Sequence, residues 1–401
     1  INCLYFITFF FIFIMVNSIP NEYIIYDNRS LKEFSKISFS KYMIKDVITA
    51  LNKSLLECKI EASINWAIEL LLSGYINKFW EKIITISIKN ININNPSICY
   101  FLYTKYSKHI ELVKKHNILN IRNDQCYRNL LAEVCFIVCN SLKTKSLSFF
   151  KIKDSDFNMT YLESKIIAND PHLIDDKLKH GDPNETKIIL NEFNYCLINR
   201  KYELCVYWLS WMLDWEKKNT KKDKLYICGL RDIHNIDRKY FNDIVWFIWE
   251  IILKEGDKIN NEFLNTQIQS LYKLYKYDFK QSSKSKKNVY FLVAIKYFTD
   301  NYHINENINN YHLLIQSCLN INKLFFEKNK LSKNNARSKQ IKQFNENVNV
   351  INNNIKLKED KVKNNLDKKK MLELKKIADT KMKFKISKVE EIDSLMLNKI
   401  L

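Results

Sequence analysis

The sequence predicts an all-α protein: two related helical units followed by a disordered basic tail. Three observations carry this. Only four glycines and four prolines punctuate 401 residues. Both residue types break helices, so their scarcity favours long helices over a turn-rich β architecture. Hydrophobic residues make up 46% of the chain and aromatic residues 13%, enough for a sizeable core. Apolar side chains then recur at helical spacing through most of the chain ahead of Lys328.

The chain opens INCLYFITFFFIFIMVNS, in which Leu4 to Val16 carry one weakly polar side chain, Thr8. A spanning helix needs about 20 apolar residues, so no membrane role is expected. A signal peptide fits the length, but Lys and Arg are absent ahead of the run. Met15 begins MVNSIPNEY in the manner of an ordinary start. Residues 1–14 are therefore expected to be upstream read-through, with a cleaved signal as the alternative.

The first unit is placed at 15–160. In SFSKYMIKDVITALNKSLLECK, Val47, Leu51 and Leu55 form one stripe, with Ser40 as a candidate cap. EASINWAIELLLSG follows and should end at Gly74 in the left-handed conformation. INKFWEKIITISIKNI stops near Pro96, then ICYFLYTKYSKHIELVKKH and QCYRNLLAEVCFIVCNSL give two more helices. Residues 143–169 read as irregular. The second unit is placed at 161–327. In NDPHLIDDKLKHGDPNETKIILNEF, Asp170 and Pro171 open one helix, Gly181 ends it, and Asp182-Pro183 with Glu185 opens the next. CVYWLSWMLDWEKK, FNDIVWFIWEIILKE, FLNTQIQSLYKLYKYDF and NVYFLVAIKYFTDNY complete it.

From Lys328 the composition changes to Lys and Asn. Residues 328–401 hold 20 basic and 9 acidic side chains and so supply +11 of the net +20. They read as a mobile tail. Its last stretch, SKVEEIDSLMLNKIL, predicts a helix over 387–400 that docks a protein partner: Ser387 with Glu390 forms a capping box, and Val389, Ile392, Met396 and Ile400 share a face. An internal repeat links LNKSLLECKIEASINWAIELLLSG to LNEFNYCLINRKYELCVYWLSWML. Each runs helix, short polar break, then a helix with a tryptophan, Trp66 or Trp208; the spacings differ by a few residues, and shared helical composition is the competing explanation.

Two resemblances follow from these segments. In 61–96, Trp66, Ala67 and Gly74, with Ile91 and Asn95-Pro96, resemble the C-terminal helical domain of clamp-loader-like AAA+ ATPases of the MgsA group. The acidic pair and glycine of that group's second element are replaced here by Lys89, Asn90 and Asn92. Over about residues 31–300, LKEFSKISFSKYMIKDVITALNKSLLECKIEASINWAIELLLSGY, NININNPSICYFL, DPNETKIILNEFNYCL, CVYWLSWMLDWEKKN and DIVWFIWEII look like an uncharacterised family of nucleocytoplasmic large DNA viruses. That resemblance implies a viral gene product made in the cytoplasm or virus factory of an infected cell, and brings no catalytic motif.

Several function classes lose their footing. Gly74, Gly181, Gly229 and Gly256 are too scattered to build a Walker A loop or a dinucleotide fingerprint, and no cofactor is called for. His-Glu-x-x-His, Gly-x-Ser-x-Gly and papain-like contexts are absent, so no catalytic residues are assigned. His172, Asp176 and His180 fall at i, i+4 and i+8 and would stack on one face of the helix after Asp170, as a metal site could; a solvated face is the plainer reading. Cys135 and Cys139 sit among Phe136, Ile137 and Val138, which points to packing. Most tryptophans have Leu, Ile, Val and Phe flanks and read as core. Trp215 differs, because a lysine run follows it directly. Lys217, Lys218, Lys221, Lys222 and Lys224 form one basic loop, and Lys280, Lys284, Lys286 and Lys287 another. With the tail they could track phosphates; solvated loops are the alternative. The expected function is a non-enzymatic scaffold in viral DNA replication, repair or transcription, contacting nucleic acid electrostatically. A virion or factory protein-interaction module without nucleic acid is the second reading.

Overall fold

The computed structural model describes residues 19–27, 29–223, 228–300 and 311–333, with the backbone alone at 159, 221–223, 311–315, 319 and 331–333. Residues 1–14, expected to be read-through, Lys224, and residues 387–400, expected to form a helix, lie outside the described residues. Those described are all-α, with one isolated antiparallel bridge, Ile37 to Met43, and no sheet.

Thirteen α-helices occur among the described residues: α1 Ile44–Leu56, α2 Ile60–Leu72, α3 Ile76–Ile86, α4 Ile98–Lys115, α5 Gln125–Asn140, α6 Met159–Glu163, α7 Asn184–Ile198, α8 Tyr202–Asp223, α9 Ile244–Lys258, α10 Glu262–Lys276, α11 Gln281–Lys287, α12 Val289–Thr299 and α13 Tyr311–Lys333. They belong to one compact unit that ends at Lys333. Helices from both sides of residue 160 pack together. α10 lies on α4, and α12 lies on α7, α8 and the turns that follow α3. Hydrogen bonds span the same joins: the Gln267 amide oxygen accepts from the Tyr100 N–H at 2.9 Å, satisfying one of α4's orphan N-terminal donors. The Tyr297 hydroxyl donates to the Pro96 carbonyl at 2.7 Å.

α1–α2 and α7–α8 are helical hairpins built on one connection. The α1 helix ends at Leu56, Cys58 takes φ 58°, and the Lys59 N–H reaches back to the Ser54 carbonyl at 2.9 Å. α7 ends at Ile198, Arg200 takes φ 55°, and the Lys201 N–H reaches back to the Cys196 carbonyl at 2.8 Å. Both are left-handed helix stops of the Schellman kind. Matching them pairs Lys59 with Lys201, Glu61 with Glu203 and Trp66 with Trp208 without a gap. The offset in the sequence repeat is therefore an error of register in pairing the two Leu-Asn dipeptides. Once the turns are superposed the spacing is equal.

α13 closes the first half of the chain although it is the last helix among the described residues. It packs on α5, α2 and the turn at Asn21–Tyr23. Asn322 donates to Gln125 at 2.8 Å and accepts from Arg128 at 2.8 Å. Lys328, read from composition as the start of the tail, is instead a buried residue of this helix, with its ammonium 2.8 Å from Glu69. The change in composition and the end of packing do not coincide.

Two local expectations fail for a shared reason. Ser40 caps nothing: α1 starts at Ile44, and the Ser40 N–H donates to the Glu69 carboxylate at 2.6 Å. The helix expected after Asp170 is absent, and residues 171–180 form turns with a single 3-10 turn at Asp175–Lys177. Buried side chains of α7 take up backbone groups of Leu173 in this segment and of the residues just ahead of it. Glu192 accepts from the Ile167 and Ala168 N–H groups at 3.0 Å each, Asn191 accepts from Leu173 N–H and donates to the Asp170 carbonyl, and Asn194 donates to the Leu173 carbonyl. A backbone already satisfied by a neighbouring helix gains little from coiling on itself.

The core is mainly aliphatic, with large aromatic side chains set into it. Trp80, Trp208, Trp246 and Trp249 are fully buried, as their apolar flanks predict. Gly74 and Gly181 take φ 76° and 93°, the left-handed conformation that glycine reaches without strain. At Gly74 a Cβ would also stand 2.2 Å from Leu31 Cδ2. Gly181 sits in the turn ahead of α7.

Candidate functional site

The two lysine-rich segments are separate in sequence and adjacent in space. Lys217, Lys218, Lys221 and Lys222 lie in the last turns of α8, and Lys284, Lys286 and Lys287 in α11. They are helix ends and not the expected loops, which follows from lysine's good helix propensity and its favourable place near a C-terminus. What joins them is an ion pair between Lys284 and Glu216, one residue before Lys217 on α8. Lys284 also donates to Asp243 at 2.7 Å. Asp243 is the N-cap of α9, accepting from the Val245 N–H at 3.1 Å, and Glu216 accepts from the Ile244 N–H at 3.3 Å. One ammonium thus ties α8, α9 and α11 together.

This triad is buried, and its electrostatics follow from that. Burial and the neighbouring Asp243 carboxylate push Glu216 up to about 7. Burial opposes the charge on Lys284, but the Asp243 and Glu216 carboxylates outweigh it and hold the ammonium above its ordinary range. Asp243 Oδ2 and the buried Tyr275 hydroxyl lack a hydrogen-bond partner among the described residues. Two carboxylates sharing one lysine can store a proton near neutrality. The side chains of the triad are about a tenth exposed or less, so the arrangement holds the helices in place and offers little to a solute.

Of the nine candidate lysines, Lys284 and Lys287 are structural. Lys287 donates to the carbonyls of Tyr275, at 2.7 Å, and Tyr277, and burial lowers it to about 8. Lys217, Lys218, Lys280 and Lys286 are exposed. Lys218 pairs with Asp154 at 2.5 Å and Lys280 with Asp278 at 2.8 Å. Lys217 and Lys286 have no ion pair among the described residues. Burial of Lys284 was not legible in its exposed-looking context, SSKSKK; its acidic partners stand far away in sequence.

The metal candidate dissolves with its helix. His172 turns to Asp175, its Nδ1 2.7 Å from the carboxylate, and Asp176 pairs with Lys177 at 2.9 Å. Among the described residues no group of three His, Cys, Asp or Glu side chains could hold a metal ion. Asp182, expected as a cap with Glu185, does something else. It accepts from the Gly229 N–H at 2.9 Å and from both terminal nitrogens of Arg231 at 2.9 Å each. Arg231 is buried, pairs also with Glu250 at 2.8 Å and lies 3.8 Å over the Phe247 ring. Sequence reasoning missed it because a single arginine in a polar stretch carries no pattern.

No helix among the described residues is long and apolar enough to cross a membrane. The chain matches no family model, no curated protein and no solved structure.

Proposed function

We propose that this protein is a non-enzymatic helical scaffold that contacts nucleic acid electrostatically, in the setting of a large DNA virus. The observation that carries the reading is the Glu216–Lys284 pair, which brings the lysine-bearing ends of α8 and α11 side by side. Lys217, Lys218, Lys280 and Lys286 are exposed near these ends, Lys217 and Lys286 with no ion pair among the described residues and Lys218 and Lys280 paired with exposed aspartates that a phosphate can displace. The segment after Lys333 adds further positive charge on the same chain. Phosphates that displace counterions at such a surface bind with an affinity that falls steeply with salt. Titrating a labelled duplex against the full chain at rising salt tests this. A steep decline that becomes shallower in Lys217→Ala/Lys286→Ala supports the proposal, and absence of binding at low salt removes it.

A second reading, a protein-interaction module, draws on the extended segment that crosses from α5 to α6. There Leu142 is 74% exposed and Phe150 45% exposed, an apolar display that a nucleic-acid scaffold has no need of. Retention of a protein partner by the wild type but not by Leu142→Ser/Phe150→Ser, together with no DNA binding, would favour it.

A further inference from the structure

Trp215 differs from the tryptophans of the core. Trp208, Trp246 and Trp249 are closed off from solvent, whereas Trp215 is half-buried on α8. Its ring is nearly parallel to that of Trp211, at 14° and a centroid distance of 6.3 Å. Trp211 is fixed from below by its indole N–H, which donates to the Asp156 carbonyl at 2.8 Å. Phe157 continues the row at 5.1 Å from Trp211. The Lys218 ammonium stands 3.9 Å from the Phe157 ring centre. An aromatic row that ends in a partly open indole therefore has a cation at its side.

We propose that Trp215 is a stacking platform for an unpaired base, and that the ligand is single-stranded nucleic acid, with Lys217 and Lys218 taking the neighbouring phosphates. The inference rests on the electrostatic reading of the same lysines and narrows it to one class of strand. A duplex keeps its bases stacked on one another, while a single strand presents free π faces to an aromatic ring. The Asp154 carboxylate that now holds Lys218 is 97% exposed, and an exposed pair of this kind is weak enough for a phosphate to displace. Stacking tolerates any base, so the site should show little sequence preference.

The test uses the full chain, a labelled oligothymidylate and a labelled duplex of equal length, read by fluorescence anisotropy at low salt. Stacking of one base is worth roughly five- to a hundredfold in affinity. Trp215→Ala should lose at least about fivefold for the single strand and stay within about twofold for the duplex. Trp215→Phe, which keeps a ring, should retain most of the single-strand affinity and guards against a folding defect in the alanine variant. Equal losses on both probes, or none on the single strand, overturn the stacking role and leave the electrostatic reading standing. Failure of both probes to bind overturns both readings.

Discussion

Replacing Lys328 by methionine should destabilise the whole protein, although composition places this residue at the edge of a tail. Its side chain is 4% exposed, its ammonium lies 2.8 Å from Glu69 Oε2, and the Glu69 side chain is fully buried. The other carboxylate oxygen accepts from the Ser38 hydroxyl and the Ser40 N–H, each at 2.6 Å. Burial alone would raise the Glu69 carboxyl, but Lys328 first and then the two serines outweigh it and leave it below its ordinary 4.5. Removing one partner of a buried pair leaves the other charge uncompensated and costs about 3–5 kcal/mol. Two donors remain on Glu69 here, so a loss of about 3 kcal/mol is expected. The pH dependence should change sign. In the wild type the depressed Glu69 contributes stability that is present above about 4.5 and is lost as pH falls through the folded value. In Lys328→Met the carboxyl is raised by burial, so stability should fall as pH rises above about 4.5, by at most about 1.4 kcal/mol per pH unit. The double variant Glu69→Leu/Lys328→Met leaves no buried charge and should be more stable than Lys328→Met alone. Urea unfolding at pH 5 and pH 7 reads all three. A Lys328→Met protein within about 0.5 kcal/mol of wild type at pH 7, the range of an exposed residue, would show that α13 is not docked on α2.

Three further outcomes are expected. Gly74→Ala and Gly181→Ala should each cost about 1 kcal/mol, because both place a Cβ at positive φ; the Cβ at Gly74 meets Leu31 Cδ2, the tip of a half-exposed side chain that can turn away. Either variant melting like the wild type would contradict this. Arg231→Lys should cost about 2 kcal/mol or more in urea unfolding, since lysine cannot reproduce the two-nitrogen grip on Asp182; a variant as stable as wild type would refute the role of that geometry. Glu216→Gln should be gaining on the wild type as pH rises from about 4.5 to about 7, because a carboxyl raised to about 7 disfavours folding once it ionises. His109, which burial lowers to about 4, acts in the opposite direction, so the difference between the two proteins is the quantity to follow, and a constant difference across the window would exclude the assignment.

Sequence alone determined the fold class, and the reason is local. Scarce glycine and proline with apolar side chains at helical spacing leave few alternatives to packed helices, and each helix writes its own period. The left-handed helix stop at Gly74 was legible for the same reason, as was the burial of Trp208, Trp246 and Trp249, whose neighbours in the chain are apolar; Gly181 takes the left-handed conformation too, but in a turn with no helix for it to end. The tertiary structure decided what depends on partners distant in the chain. Ser40 and Asp182 carry cap-like signatures, yet Glu69 and Arg231 claim them. The 171–180 helix has its start and stop signals, yet Asn191 and Asn194 bind both backbone groups of Leu173 and hold that stretch in turns. Among the lysines, an exposed Lys217 and a buried Lys284 look alike in sequence. They separate only when Glu216 and Asp243, from two other helices, converge on one of them. A charge is buried where opposite charges meet it, and that meeting is a property of packing, which a helical period does not encode.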